Sequence, residues 1–120
     1  MRGTPEAETI KELQPQEGDH VLEKRTYSAF FETGLDLLLR RLNVDSIVIT
    51  GLHTHICCRH TAADAFHKGY GLTIASDCVE ALTDEDHNSG LEYIKTIYNA
   101  KSLTSGEIIE SWATGSKVKI

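Results

Sequence analysis

The run Ser46-Ile47-Val48-Ile49-Thr50, closed by Gly51, constrains the fold more than any other stretch of the chain. β-Branched residues are stiff at χ1 and favour strands. An unbroken apolar run, unlike an alternating one, suits a strand buried on both faces, as in a parallel sheet. Parallel neighbours need long crossovers, usually helical, and the flanking sequence supplies them. Upstream, Thr33 stands at a helix start. Leu35, Leu38, Leu39 and Leu42 follow as one apolar stripe, Asp36 lies in the first turn, and Asn43 marks the end. Downstream, residues 61–66 read as helix, closed by Gly69 where chains turn left-handed. Tyr70 to Ala75 is the next strand, with Leu72 and Ile74 alternating. Thr83, followed by Asp84, Glu85 and Asp86, starts another helix, with Leu91, Ile94 and Tyr98 as its apolar side. Residues 100–104 form a short last strand, and Ser105 caps a final helix carrying Ile108, Ile109 and Trp112. Before all this, a short helix is expected over residues 6–13, broken at Gln14-Pro15, and a short strand over residues 20–24. Alternating strands and helices mean an α/β fold with a mainly parallel sheet.

Composition narrows the function classes. A chain of 120 residues has room for one domain, here residues 1–114 with a flexible tail at 115–120. The 40% hydrophobic content is that of a folded protein. Net charge is −6, which argues against a nucleic-acid partner. No apolar stretch approaches the ~18 residues of a membrane span, so no membrane partner is expected. The first residues lack the basic and apolar regions of a signal peptide. Cys57, Cys58 and Cys78 are an odd count, which fits free thiols and a cytoplasmic setting.

In open α/β sheets ligands sit outside the carboxyl ends of the strands. The loop after residues 46–50 is therefore the place to look. Residues 51–60 hold three of the six histidines and two of the three cysteines, and run straight into a helix. A cysteine in a first helical turn meets unpaired backbone N–H groups and the positive end of the dipole. Both favour thiolate over thiol, and the same N–H groups can hold an oxyanion. Strand, glycine turn, cysteine and helix thus make a nucleophile geometry. Three readings compete: cysteines buried as small apolar residues, a metal site of His53, His55, Cys57 and His60, and a strained Cys57–Cys58 disulfide. The metal spacing is unlike a standard zinc pattern.

The segment Gly51-Leu52-His53-Thr54-His55-Ile56-Cys57-Cys58-Arg59-His60-Thr61-Ala62-Ala63-Asp64-Ala65 resembles the G-x-x-T-x-x-C-V-x-x-T-A-x-D-A signature of the isochorismatase-like cysteine hydrolases. Nicotinamidases, N-carbamoylsarcosine amidases and isochorismatases belong to that superfamily. Upstream, Lys24-Arg25-Thr26-Tyr27-Ser28-Ala29-Phe30, then Thr33 and Leu35, is similar to the family's K-x-x-Y-S-A-F-x-x-T-x-L segment. Asp77-Cys78 is similar to a D-A at the end of a later strand. The resemblance implies a Rossmann-like three-layer α/β/α fold and hydrolysis of a small amide-like C–N bond. Cys57 falls at the nucleophile and Lys24 at the catalytic lysine. The oxyanion hole maps to the backbone N–H groups of His53 and Cys57, with a non-proline cis bond at Leu52–His53. Tyr27, Phe30 and His55 map near the substrate pocket. Asp64 and Asp77 map to structural ties. No cofactor or metal ligand is expected of the residues present.

Two departures stand out. Cys58 replaces the usual valine and sets a second thiol beside the nucleophile, a liability to oxidation. The other is at the front. The family's aspartate general base and its metal ligands lie on segments before the point where Met1 aligns. The first family strand lies beside the equivalent of residues 46–50. The expectation is an N-terminally truncated domain, a homo-oligomer, or a domain complemented by the missing segment, because a sheet without its central strand exposes unpaired backbone groups.

Overall fold

The computed structural model describes residues 11–113. Its elements are α1 (Leu35–Arg41), β1 (Ser46–Leu52), a π-helical turn (Thr54–Cys58), α2 (Arg59–His67), β2 (Gly71–Glu80), α3 (Asp84–Tyr98), β3 (Lys101–Leu103) and α4 (Ser105–Ala113). The three strands form one parallel sheet in the order β1-β2-β3. Each crossover advances the same way across the sheet, and its helices α2 and α3 pack on each other.

β2 is the central strand, and its side chains show both faces covered. Leu72 and Ile74 point into a cluster with Ile49, Ala62, Ala65 and Ile94, from β1, α2 and α3. Thr73 and Ala75 face the other way by strand alternation and are buried as well, while α4 packs on β2 with Ile108 buried. The result is the expected α/β/α layering. Leu72, Ile74 and Ile94 are almost wholly buried, which stabilises the fold by about 1.5–3 kcal/mol each.

The local signals act much as expected. Thr83 Oγ1 accepts the Asp86 N–H at 3.1 Å and caps α3. Gly69 adopts φ +89° where α2 ends, and Lys68 and Gly69 close onto the carbonyls of Asp64 and Phe66. Three expectations need correcting. Residues 20–24 form no strand: Val21 and Leu22 are exposed, and an apolar stub without a ladder partner has nothing to fix it. The first helix starts at Leu35 with Gly34 in the capping position. Thr33 instead donates to the Ala29 carbonyl at 2.6 Å and accepts the Leu35 N–H at 3.3 Å. The last helix is capped by Thr104, not Ser105. Thr104 Oγ1 accepts from Glu107 N–H, and Glu107 Oε1 accepts from Thr104 N–H, a reciprocal capping box. Of the helix expected over residues 6–13, Lys11–Leu13 form one 3₁₀ turn; the rest lies outside the described residues, as does the 115–120 tail.

Along β1 the register with β2 slips: Ile49 opposes Ile74, but Gly51 opposes Val79. Gly51 turns at φ +121° in this slip, a conformation that disfavours any side chain. The other edge of β1 pairs with no strand among the described residues.

Candidate active site

Cys57 sits beyond the carboxyl end of β1, where α/β sheets place their ligands. The Leu52–His53 peptide bond that leads into the turn is cis. The His53 carbonyl then accepts from the N–H groups of Ile56 and Cys58, both at 3.1 Å. This wide turn carries Cys57 into the start of α2. π-Turns of this kind are frequent at functional sites.

A groove of ≈ 330 Å³ runs along the unpaired edge of β1. Residues 47–50 and Leu52 of β1 line it, with Leu35 and Leu39 from α1. Cys57, Lys24 and Tyr27 line it too. The structure therefore brings together three of the residues singled out from sequence. Lys24 Nζ donates to the carbonyls of Thr26 (2.8 Å) and Tyr27 (3.3 Å), which curls its chain back over the loop. That loop is tied to the cysteine helix: Ser28 Oγ donates to Asp64 Oδ2, and Thr61 Oγ1 accepts the Ala29 N–H at 3.0 Å. Asp64 is thus a tie between helix and loop, as expected. Asp77 is the other, accepting from the N–H and hydroxyl of Ser105 at 2.7 Å each. These bonds hold the Asp77 carboxyl below its usual range.

Two expected pocket residues lie elsewhere. Phe30 is buried and stacks on Tyr70 in the core; it does not line the groove. His55 turns toward α3, its Nε2 3.7 Å from Asp86 Oδ2. His53 neighbours His55, with ring centroids 6.3 Å apart. The Nδ1 atoms of both are buried without a hydrogen-bond partner among the described residues. His60 faces the other way, against the Tyr27 ring. Among the described residues no three His, Cys, Asp or Glu side chains gather as a metal site would need.

The two adjacent thiols differ sharply. Cys58 is 3% exposed, and burial, aided by the neighbouring Cys57, pushes its thiol up to about 11. The Lys24 charge acts in the opposite sense without cancelling this. Cys58 therefore stays protonated at neutral pH, which blunts the oxidation liability, since the thiolate is the reactive form. Sequence reasoning did not single out the clasp on the turn from α3: His87 Nδ1 is 2.8 Å from Thr54 Oγ1, and Thr54 is fully buried. Its only trace in the sequence is a polar, glycine-containing first half of α3.

A cysteine on a wide turn after a parallel strand here opens a helix and shares a groove with a lysine. Comparison with known proteins gives the family. Residues 1–107 match the isochorismatase domain model, and the chain belongs to that family. It is 39% identical over 101 residues to YaaI, an uncharacterized isochorismatase family protein of Bacillus subtilis, covering 84% of this chain and 56% of the relative. It is 37% identical over 104 residues to the ureidoacrylate amidohydrolase RutB of Acinetobacter baylyi, covering 86% of this chain and 42% of that one. The solved N-carbamoylsarcosine amidase of Thermoplasma acidophilum superposes with a TM-score of 0.80 at 40% identity, over 88% of this chain and 59% of the other. The chain thus spans about half the length of the curated relatives it matches.

Proposed function

We propose that this chain carries the nucleophile half of a cysteine hydrolase that cleaves a small amide-like C–N bond. The observation that carries the reading is Cys57, held by a π-turn at the end of β1 and lining one groove with Lys24. The Cys57 thiolate attacks the substrate carbonyl. The backbone N–H groups of His53 and Cys57 hold the oxyanion. The amine leaves with a proton, and water then cleaves the thioester to give the acid and free thiol. The Lys24 ammonium supports the thiolate and the developing charge. Two of the relatives are named for hydrolysis of ureido or carbamoyl compounds, and a compound of that class is the proposed substrate.

A second reading has its own observation. None of the residues lining the groove is an aspartate or glutamate, so the groove holds no carboxyl group to act as general acid for the leaving amine. On this reading the chain by itself is a catalytically incomplete module. The unpaired edge of β1 supports the same view, because a strand laid along it would cover the groove and could bring the missing carboxylate. That strand would come from a second copy or from a segment of the kind the longer relatives possess.

Ammonia release from N-carbamoylsarcosine and related small amides tests both readings. Turnover that Cys57→Ala abolishes is the expected result for the hydrolase. Turnover that survives Cys57→Ala overturns it. Absence of turnover, with Cys57 alkylated by iodoacetamide faster in the folded than in the unfolded chain, supports the incomplete module. No turnover and no such acceleration refutes Cys57 as the nucleophile of this chain.

A further inference from the structure

One face of α3 presses on the turn that carries Cys57. Asp86, His87, Gly90 and Ile94 recur along it at helical spacing. Asp86 Oδ2 lies 3.7 Å from His55 Nε2. His87 Nδ1 lies 2.8 Å from Thr54 Oγ1. Ile94 anchors the helix in the core, fully buried. Between them, Gly90 is buried directly against the backbone of His55.

The geometry at Gly90 is tight. A Cβ placed there would lie 2.9 Å from both the Cα and the N of His55, and 3.0 Å from its Cβ. Carbon atoms pack best at about 3.5–4.0 Å, so the helix or the turn would have to yield by ~0.5–1 Å. The obstacle is main chain, which cannot swing aside as the tip of a side chain can. Gly90 has an ordinary helical backbone and is not among the left-handed glycines. Glycine inside a helix costs roughly 0.5–1 kcal/mol relative to alanine. What the position uses is the missing side chain, not a special φ.

His55 stands two residues from each of the proposed oxyanion donors, His53 and Cys57. We propose that Gly90 is a positioning residue: by admitting α3 against the His55 backbone, with His87 keyed to Thr54, it sets where the turn presents the Cys57 thiol. The inference rests on the reading of Cys57 as nucleophile. Misplacement of reacting groups by ~1 Å can cost on the order of 100-fold in rate, so this contact matters more to reactivity than to folding.

The experiment measures iodoacetamide alkylation of Cys57 in the intact, folded chain across pH, site-resolved by mass spectrometry. This readout needs no substrate. Gly90→Ala is expected to fold, with a several-fold altered Cys57 rate and a displaced pH profile. A folded Gly90→Ala with the wild-type rate and profile overturns the proposal, whatever happens to its melting temperature. Should Gly90→Ala not fold, the His87 pair decides. His87→Leu loses the bond to Thr54, whereas His87→Gln can remake it, and both lack the imidazole charge. A displaced profile in His87→Leu that His87→Gln restores supports positioning, and identical wild-type profiles refute it. Failure of the nucleophile reading shows separately, as hydrolysis that survives Cys57→Ala.

Discussion

Cys58 offers the sharpest quantitative check on the site. Its thiol pKa is pushed from 9.0 to about 11, mainly by burial. A tenfold change accompanies each unit, so below pH 9 the folded protein holds about a hundredth of the Cys58 thiolate that the unfolded chain holds. At pH 8 that is about 0.1% thiolate rather than about 9%. Alkylation proceeds through the thiolate, and the 3% exposure of Cys58 slows it further. The native protein should therefore label Cys58 at least ~100-fold more slowly than the same chain in guanidinium. Brief iodoacetamide labelling followed by trypsin yields a peptide of residues 42–59 that holds both thiols. Its terminal Cys58-Arg59 fragment reports Cys58 alone. Native labelling of Cys58 within about tenfold of the unfolded rate would refute the burial argument. The sign for stability follows directly. The folded pKa lies above the unfolded one, so this thiol's contribution is intact below pH 9.0 and is lost as pH rises through about 11. Cys58→Val, which keeps the side chain apolar, adds one heavy atom and removes the titration, should flatten that part of the alkaline stability curve.

Three further outcomes follow from the fold. Ile94→Ala, at a fully buried position in the core cluster, should cost about 2–5 kcal/mol in urea unfolding, and a loss below ~1 kcal/mol would mean that α3 is not anchored there. Thr104→Ala removes the capping box with Glu107 and should cost ~1 kcal/mol, with the melting temperature partly regained by Thr104→Ser. Asp77, whose carboxyl is held below 3.8 by Ser105, stabilises the docking of α4 above that pH. The contribution should vanish as pH falls through the lowered value, and Asp77→Asn should remove this acid-side dependence when unfolding is followed by Trp112 fluorescence.

Some elements were legible because their signals are local. The β-branched run at 46–50, the cap at Thr83 and the left-handed Gly69 each act through the chemistry of a few neighbouring residues. The same holds for the chain order of strands and helices, and for the motif that marked Cys57 and Lys24. Where the local signal was ambiguous, the tertiary structure chose. Residues 20–24 have strand-like composition but no ladder to join. Thr104 and Ser105 could both cap α4 by type; Ser105 is engaged by Asp77, so Thr104 caps with Glu107.

The site divides in the same way. The sequence by itself determined that a cysteine would follow a parallel strand into a helix, because strand propensity, a glycine turn and helix periodicity are properties of contiguous residues. The burial of that strand on both faces, which its unbroken apolar run predicts, is not met: among the described residues β1 is an edge strand with only Ile49 buried. Only the tertiary structure decided which pocket candidates meet. Tyr27 shares the groove with Cys57 and Lys24, while Phe30 joins the core and His55 turns to α3. It also decided that of two adjacent thiols beside the groove one is partly exposed and the other is buried and protonated. Such outcomes depend on burial and on contacts across more than thirty residues of chain, as between His55 and Gly90, and distance in space is not written in local sequence.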